Sequence, residues 1–578
     1  MQTVDFTTLA ATCAELRQGW IPSRFENAYQ RDRHTVSLAL RTFSGRGWLT
    51  LCWHPQAARL CIEDAPPRVP DTFTFSQQLR HQLGGLALVA IEAIAPWERA
   101  VDLQFAKRPG DPVLWHLYVE VMGKYSNVIL TNQHNQVVTA AHQVGEKQSS
   151  VRAIQTGQPY EPPPSLSEAI PAQTESLEVW RERVALVPGK LWRNLLTTYR
   201  GVSPVLARSM AHRVNLDPNQ LTAELEPQEW AALFQVWQEW LHLLKTEAFQ
   251  PGWRSQGYTV TGWDRVESVE SVQILLKRYY IDQLNTQEFA QLHHQLTQRV
   301  AGAAKKLKLR VDDFERRLKL SDQADELRQQ ADLLMAYLQK WEPGMQAIAL
   351  PSFETGETVK IPLDPTKNAV QNAQALYKRH QKMRRSRDSI TPLLKAARSE
   401  LHYLEQVEAA IAQSDTYREP DDLATLEEIQ DELDQQGYTS RNQGRSSERS
   451  GETDFRRYRS PSDFEIVVGR NNRQNDELTF RLATEYDLWF HTQEIPGSHV
   501  LLRLPPGQVA DQADLQCAAN WAAHHSRARQ GEQAPVVYTE PKNVYKPKGA
   551  KPGMVIYKHE TIIWGYPQQV DSEKRPSE

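Results

Sequence analysis

"FAQLHHQLTQRVAGAAKKLKLRVDDFERRLKL", residues 289–320, decides the architecture. Phe289, Leu292, Leu296, Val300, Ala303, Leu307, Val311, Phe314 and Leu318 recur at steps of three and four. That spacing puts them on one face of a helix and reads as a coiled-coil seam of about four heptads. No proline interrupts the chain between Pro251 and Pro343. A second seam follows at Ile390, Leu394, Ala397, Leu401, Leu404, Val407 and Ile411. Between the two lies "WEPGMQAIALPSFETGETVKIPLDPTKN" (341–368), rich in turn residues. The pair predicts an antiparallel coiled-coil hairpin with a small irregular tip. An arm of about 45 residues reaches about 70 Å, a length suited to spanning a large partner.

The 578 residues exceed what one hydrophobic core holds. The formal net charge of −4 excludes a chain that is basic overall, so any nucleic-acid contact must come from local patches. Cys13, Cys52, Cys61 and Cys517 form no CxxC pair, and no metal, cofactor or disulfide framework is expected. No P-loop, GxSxG or HExxH pattern is present, so no catalytic residue is assigned. The apolar run 83–95 is too short for a bilayer and contains Glu92, and "MQTVDFTTLA" lacks a basic leader region. The expected location is the cytoplasm.

Six segments follow along the chain. Residues 1–170 alternate short β-type runs ("TVSLALRTF", "GWLTLCW", "RLCIED") with turns and read as a mixed α/β domain that ends in the proline-rich linker "GQPYEPPPS" (157–165). Residues 175–260 predict a helix-two-turn-helix-like hairpin, broken at Gly201 and restarted by Ser203 as N-cap with Pro204 behind it. The coiled coil with its tip takes 265–437. A flexible linker is expected at 438–461, around "TSRNQGRSSERSGETDFRRYRS" (439–460), which carries no Leu, Ile, Val or Met. An α/β domain occupies 462–568, and 569–578 is a polar tail.

Three basic or polar stretches are candidate RNA contacts. "VGRNNRQNDELT" (468–479) sets Arg470, Asn471, Asn472 and Arg473 between a strand (464–468) and a helix (477–484), with Asp476 as the expected helix cap. Such a stretch reads either as a solvated turn or as a loop for a polyanion. "PKNVYKPKGAKPGMVIYK" (541–558) carries Lys542, Asn543, Lys546, Lys548 and Lys551 without an acid, with Tyr545 as a stacking ring. "YKRHQKMRRSR" (377–387) adds Lys378, Arg379 and Lys382 beside the coil. In "APWERAVDLQF" (95–105), Glu98, Arg99 and Asp102 read on their own as a local ion pair. His491, His499 and His524-His525 form no metal set.

The runs 469–479, 487–500 ("DLWFHTQEIPGSHV") and 536–557 ("VVYTEPKNVYKPKGAKPGMVIY") resemble the NFACT-R domain. "LDPTKNAVQNAQALYKRHQK" (363–382) resembles the coiled-coil entry of the same NFACT family, and "EVMGKYSNVIL" (120–130) its NFACT-N domain. The resemblance spans the chain in order and is closest to the bacterial branch. It implies a factor that binds the large ribosomal subunit through ribosomal RNA while peptidyl-tRNA still blocks it. Such a factor recruits alanyl-tRNA and supports mRNA-independent C-terminal alanine tailing. A small partner protein that assists translocation belongs to the same picture, and peptide-bond formation stays with the ribosome. The resemblance places tRNA contacts at Asp5, Glu98 and Arg99, with Glu98 where the family has Asp. Two other readings accompany it: a fibronectin-binding adhesin, after the family's older name, and a DNA glycosylase-like lyase, whose N-terminal Pro-Glu is replaced here by Gln2-Thr3.

Overall fold

The structure is a computed structural model that describes residues 1–66, 70–145, 152–164, 169–438 and 455–570. The chain divides into two compact units, Met1–Leu284 and Asn285–Glu578.

The first unit opens with α1 (Phe6–Trp20), followed by β1 (Ser23–Asp32), β2 (Thr35–Arg41), β3 (Arg46–Cys52) and β4 (Arg59–Glu63). The plan then repeats, with α2 (Thr74–Leu83), β5 (Ala87–Ala93), β6 (Ala100–Ala106), β7 (Trp115–Glu120), β8 (Asn127–Asn132) and a short β9 (Val137–Ala140). The strands form one antiparallel sheet in the order β4-β3-β2-β1-β5-β6-β7-β8-β9. The two meanders meet where β1 pairs with β5, a ladder of two registered pairs, Ser23↔Leu88 and Arg24↔Ala87. Both meanders feed one core, in which Leu38, Leu40, Leu49 and Leu51 join Leu88, Leu103, Phe105 and Leu117. The expected linker at 157–165 is packed onto this sheet up to residue 164, while 165 lies outside the described residues. Tyr160 stacks on Tyr118 at 3.8 Å and donates to the buried Glu120 carboxylate at 2.9 Å. A tyrosine between prolines supplied the packing that its neighbours' composition concealed.

α3 (Leu177–Ala185), α4 (Leu191–Thr198), α5 (Pro204–Arg213) and α6 (Pro227–Thr246) pack around Trp180, Trp237 and Trp240. Each buried indole withdraws roughly 200 Å² from water, an upper-bound gain on the order of 5 kcal/mol before entropy is counted. The turn between α4 and α5 forms as its residues dictate: Gly201 has φ 77°, and Ser203 Oγ accepts from Leu206 N at 3.0 Å. A small sheet of β10 (Gly252–Trp253), β11 (Tyr258–Thr259) and β12 (Glu267–Ser268) follows. Then α7 (Val272–Asp322) begins, its free N–H groups at Val272 and Gln273 bonded to the Glu15 carboxylate at 2.7 and 3.1 Å.

In the second unit α7 runs on, and at 51 residues it is about 77 Å long. α8 (Ala324–Ala336), the hairpin β13 (Ala347–Pro351) and β14 (Thr358–Pro362), and α9 (Ala369–Gln413) complete the arm. Antiparallel pairing is fixed by residues far apart in sequence: Arg398 bonds Glu315 at 2.6 Å, and Asn285 bonds Tyr417 at 3.2 Å. The tip is a small core of its own, in which Leu334, Leu350, Ile361 and Ala373 are buried. The first seam is not heptad-based: Phe289, Val300 and Val311 lie eleven residues apart, with steps of three, four and four between them. That repeat averages 3.67 residues per turn, close to the 3.6 of a straight helix, so it leaves little left-handed supercoil.

α10 (Pro420–Gln435) lays Leu423, Leu426, Ile429 and Leu433 on the arm's core. Residues 439–454 of the expected linker lie outside the described residues. Its end, however, is β15 (Arg456–Arg459), paired with β16 (Glu465–Val468). α11 (Asn472–Glu477), β17 (Leu488–Thr492), β18 (Val500–Leu502), α12 (Gln512–His524), β19 (Ala534–Thr539), the pair β20 (Val544–Tyr545) and β21 (Ile556–Tyr557), and β22 (Thr561–Gly565) complete the unit. Its sheet runs β15-β16-β18-β17-β19-β22, with α12 packed on one face. Of the expected tail, 571–578 lie outside the described residues. Among the described residues no helix is long and apolar enough to cross a membrane, and no group of His, Cys, Asp and Glu is set to hold a metal.

Candidate nucleic-acid interface

The polar stretch after β16 is neither a solvated turn nor an open anion loop. Arg470, Asn471, Asn472, Gln474 and Asn475 are all buried, whereas Arg473 is exposed. Gly469 lets the chain turn in closely: a Cβ there would lie 2.2 Å from Asn475 Oδ1. The cap of α11 is Asn471, whose side chain accepts from Gln474 N at 2.9 Å. Asp476, expected as the cap, sits within α11 and accepts from Gly553 N at 3.2 Å and from Lys546 Nζ.

The partner of the stretch is the acidic helix α10. Asn471 Nδ2 and Gln474 Nε2 both donate to Glu428 Oε2, at 2.6 and 3.0 Å. Asn472 Nδ2 donates to Glu432 Oε1 at 3.1 Å, which also accepts from Tyr403 OH at 2.7 Å. The Arg470 guanidinium faces Glu419 at 3.8 Å and Asp421 at 3.6 Å. Burial raises the Glu432 pKa, and the two donors hold it back. Arg470, Asn471 and Asn472 thus clamp the C-terminal sheet to the arm, and in this arrangement they present no open surface to a phosphate.

The lysine stretch divides in two. Lys551 lies 4.5 Å from the Tyr403 ring centre and 4.6 Å from that of Tyr438, and its Nζ is 2.6 Å from Tyr438 OH. Burial lowers its pKa while Glu400 and Glu432 oppose the shift. Asn543 bonds Thr539 at 3.1 Å and holds the loop in shape. Lys551 and Asn543 are therefore internal fastenings, while Lys546 is exposed and salt-bridged to Asp476. Lys548 and Lys558 face solvent, as does Tyr545, and the Lys558 ammonium is 5.8 Å from the Tyr545 ring centre. Lys542 is exposed and salt-bridged to Glu540. Lys378, Arg379 and Lys382 are exposed on α9, about 32–38 Å along the helix from Tyr403.

In the first unit the turn between β5 and β6 holds Trp97 at φ 63°, a left-handed conformation that strains a bulky residue. Its ring packs on Phe6 at 4.9 Å and Trp240 at 5.3 Å, which fixes the turn. The next two residues, Glu98 and Arg99, are half-buried, and neither side chain has a hydrogen bond or ion pair among the described residues. The local ion pair expected here is absent: Asp102 bonds His116 instead, at 2.7 Å. Glu98 lines a cleft of ≈ 420 Å³ with Phe6, Cys13, Arg17, Trp97 and Lys245. Burial pushes the Cys13 thiol up to about 12, so it offers no nucleophilic thiolate. Asp5 is 8% exposed and fully engaged. Its Oδ1 accepts from Thr8 N at 2.9 Å and its Oδ2 from Ser203 Oγ at 2.6 Å, so one carboxylate ties together the starts of α1 and α5.

Residues 5–452 match the model described as "NFACT N-terminal and middle domains", and residues 454–559 match "NFACT protein RNA binding domain". The chain belongs to the NFACT family. It is similar along nearly its whole length to the "Rqc2 homolog RqcH" of Bacillus subtilis (strain 168), at 28% identity over 576 residues and 96% of each chain. Its likeness to the Streptococcus suis (strain 05ZYH33) protein of the same name is 29% over 564 residues and 95% of each. A solved C-terminal part of the fibronectin/fibrinogen-binding protein from Streptococcus suis is 30% identical, covers 49% of this chain and 96% of that one, and has a TM-score of 0.37.

Within this NFACT chain, the missed partner is α10. Its carboxylates at 428 and 432 lie one helical turn apart and so share a face, the one sequence signal available for it. Ile562 and Trp564 on β22, 53% and 49% exposed, are a further apolar element beside the basic stretch that polar patterning overlooks.

Proposed function

We propose that this NFACT protein acts in ribosome quality control as an RNA-binding factor. In that reading it binds large ribosomal subunits carrying peptidyl-tRNA, recruits alanyl-tRNA, and supports alanine tailing without itself forming the peptide bond. It works in the cytoplasm, with a small translocation-assisting protein as a further partner. The observation that carries the reading is a C-terminal domain matching an RNA-binding family model, in a chain similar end to end to proteins named Rqc2 homolog RqcH.

Exposure supports the following residues as the contacts in this reading. Ribosomal RNA meets Lys542, Lys548, Lys558, Arg473 and the Tyr545 ring, all of them exposed, and the arm's Lys378, Arg379 and Lys382. Choice of tRNA falls to Glu98 and Arg99, which are half-buried, carry no side-chain hydrogen bond or ion pair among the described residues, and stand on a rigid turn beside a cleft. Asp5 supports that turn from beneath, because Phe6 beside it carries the Trp97 ring.

The test is purification of the full chain from cells, sedimentation, and sequencing of the bound RNA. Co-sedimentation with free large subunits and enrichment of alanine tRNA are expected. Arg99→Ala is expected to lose tRNA and keep ribosomal RNA. A wild-type complex without tRNA would overturn the proposal.

A further inference from the structure

We propose that the β2–β3 hairpin is a second nucleic-acid contact, a finger that stacks Phe43 on an unpaired base while Arg24, Arg41 and Arg46 hold the flanking phosphates. The site lies outside the residues assigned above, and it rests on the reading of the protein as an RNA binder.

Phe43 is 107% exposed, the most exposed large apolar side chain among the described residues. It is not on a loose loop. Thr42 N donates to Gly45 O at 2.8 Å, Gly45 N donates to Thr42 Oγ1 at 3.2 Å, and the Thr42 and Ser44 hydroxyls are 2.8 Å apart. The base of the finger is equally fixed. A Cβ on Gly47 would lie 2.1 Å from Trp20 Cη2, so the backbone of β3 lies directly on the α1 indole. A ring held rigidly in water loses little freedom when a base stacks on it, and such stacks contribute substantially to single-strand binding.

The charge around the ring specifies the partner. Arg24, Arg41 and Arg46 stand opposite one another on adjacent strands, in the pairs Arg24↔Arg41 and Arg41↔Arg46. Glu26 pairs with Arg41 and, at 2.8 Å, with Arg46. Three guanidinium groups against that one carboxylate leave a surplus of two positive charges at the foot of the finger. All three arginines are exposed. Planar donor forks flanking one aromatic ring match the alternation of phosphate and base along a single strand. A lone ring gives a bilayer too little apolar area to hold, which favours the nucleic acid over a membrane.

The test uses the full chain and a labelled oligouridylate of about 12 nucleotides, with binding read by anisotropy at several salt concentrations. Phe43→Ala is expected to weaken binding about tenfold, equal to about 1.4 kcal/mol, with the salt dependence unchanged. Phe43→Trp is expected to restore it, and Arg46→Gln to reduce the salt slope by about one contact. The side chain lies wholly in solvent, so the alanine variant keeps its fold. If Phe43→Ala binds like wild type while Lys548→Ala with Lys558→Ala weakens binding, the finger falls and the RNA reading stands. If the wild type itself does not bind the oligomer, both fall. Loss of binding to phosphatidylserine vesicles in Phe43→Ala, with RNA binding intact, overturns the proposal in favour of a membrane contact.

Discussion

At the scale of single residues, two lysines from one stretch have opposite fates. Lys551 is enclosed by two tyrosine rings, while Lys548, three positions earlier, is exposed. Partly desolvated cation–π contacts contribute about 1–2 kcal/mol, whereas surface substitutions usually change stability by about 0.5 kcal/mol or less. Lys551→Ala is therefore expected to lower the denaturation midpoint of the C-terminal sheet clearly, and Lys548→Ala to leave it in place. Equal shifts in a urea titration would refute the cage. The buried histidines make a second expectation. His499 and His525 are 1% and 7% exposed, and burial holds both pKa values well below the usual 6.5. The unfolded chain then binds protons that the folded chain refuses. Stability is full above about pH 6.5 and falls as the solution is acidified toward the depressed values, each group contributing up to about 1.4 kcal/mol per pH unit. Glu432, whose pKa burial raises, works in the opposite direction, over the range from the ordinary 4.5 up to its raised value. Denaturant midpoints taken between pH 7.5 and 5 check the slope, which His525→Gln is expected to reduce.

At the scale of elements, α9 carries Pro392 in its interior. A proline there removes the bond that residue 392 would donate to the Asp388 carbonyl, at a cost of about 3 kcal/mol. Pro392→Ala is expected to raise the melting temperature of the arm followed by circular dichroism at 222 nm, and no change would mean that packing already compensates. The arm was legible in the sequence because its signal is periodic and local: Leu296, Leu307, Leu394 and Leu404 each announce the face they occupy. The clamp at 470–475 was not legible, because its meaning lies in a helix some 40 residues upstream that itself reads as a solvated acidic face. Buried Asn471, Asn472 and Gln474 look like surface residues until Glu428 and Glu432 are placed opposite them. The linker at 157–164 failed for a related reason, since Tyr160 outweighs the prolines around it only once Tyr118 and Glu120 lie beneath it.

At the scale of the whole molecule, the clamp decides what moves with what. Within the second unit the C-terminal sheet is fastened to the arm through Glu428 and Glu432 on α10, and through Gln406 and Gln413 on α9, which bond Gly497 N at 3.1 Å and His525 O at 2.7 Å. Deleting one partner leaves buried amides without acceptors, at about 1–3 kcal/mol. Glu428→Ala is expected to speed hydrogen exchange at 470–475 while β17 and β19 stay protected. Uniform loss of protection across the sheet would instead mean that the sheet depends on the arm to fold.

The doubled plan of the N-terminal sheet has a mechanical consequence. The ladder that joins its two meanders holds two registered pairs, whereas the ladders beside it, β1–β2 and β5–β6, hold seven and six. A force drawn across the sheet would find its shortest ladder between Ser23 and Leu88, parting it into its two meanders, with the bond from Arg80 of α2 to the Ala28 carbonyl of β1, at 2.8 Å, broken in the same step. In a single-molecule pulling experiment the sheet would yield in two steps, with the first rupture at that seam.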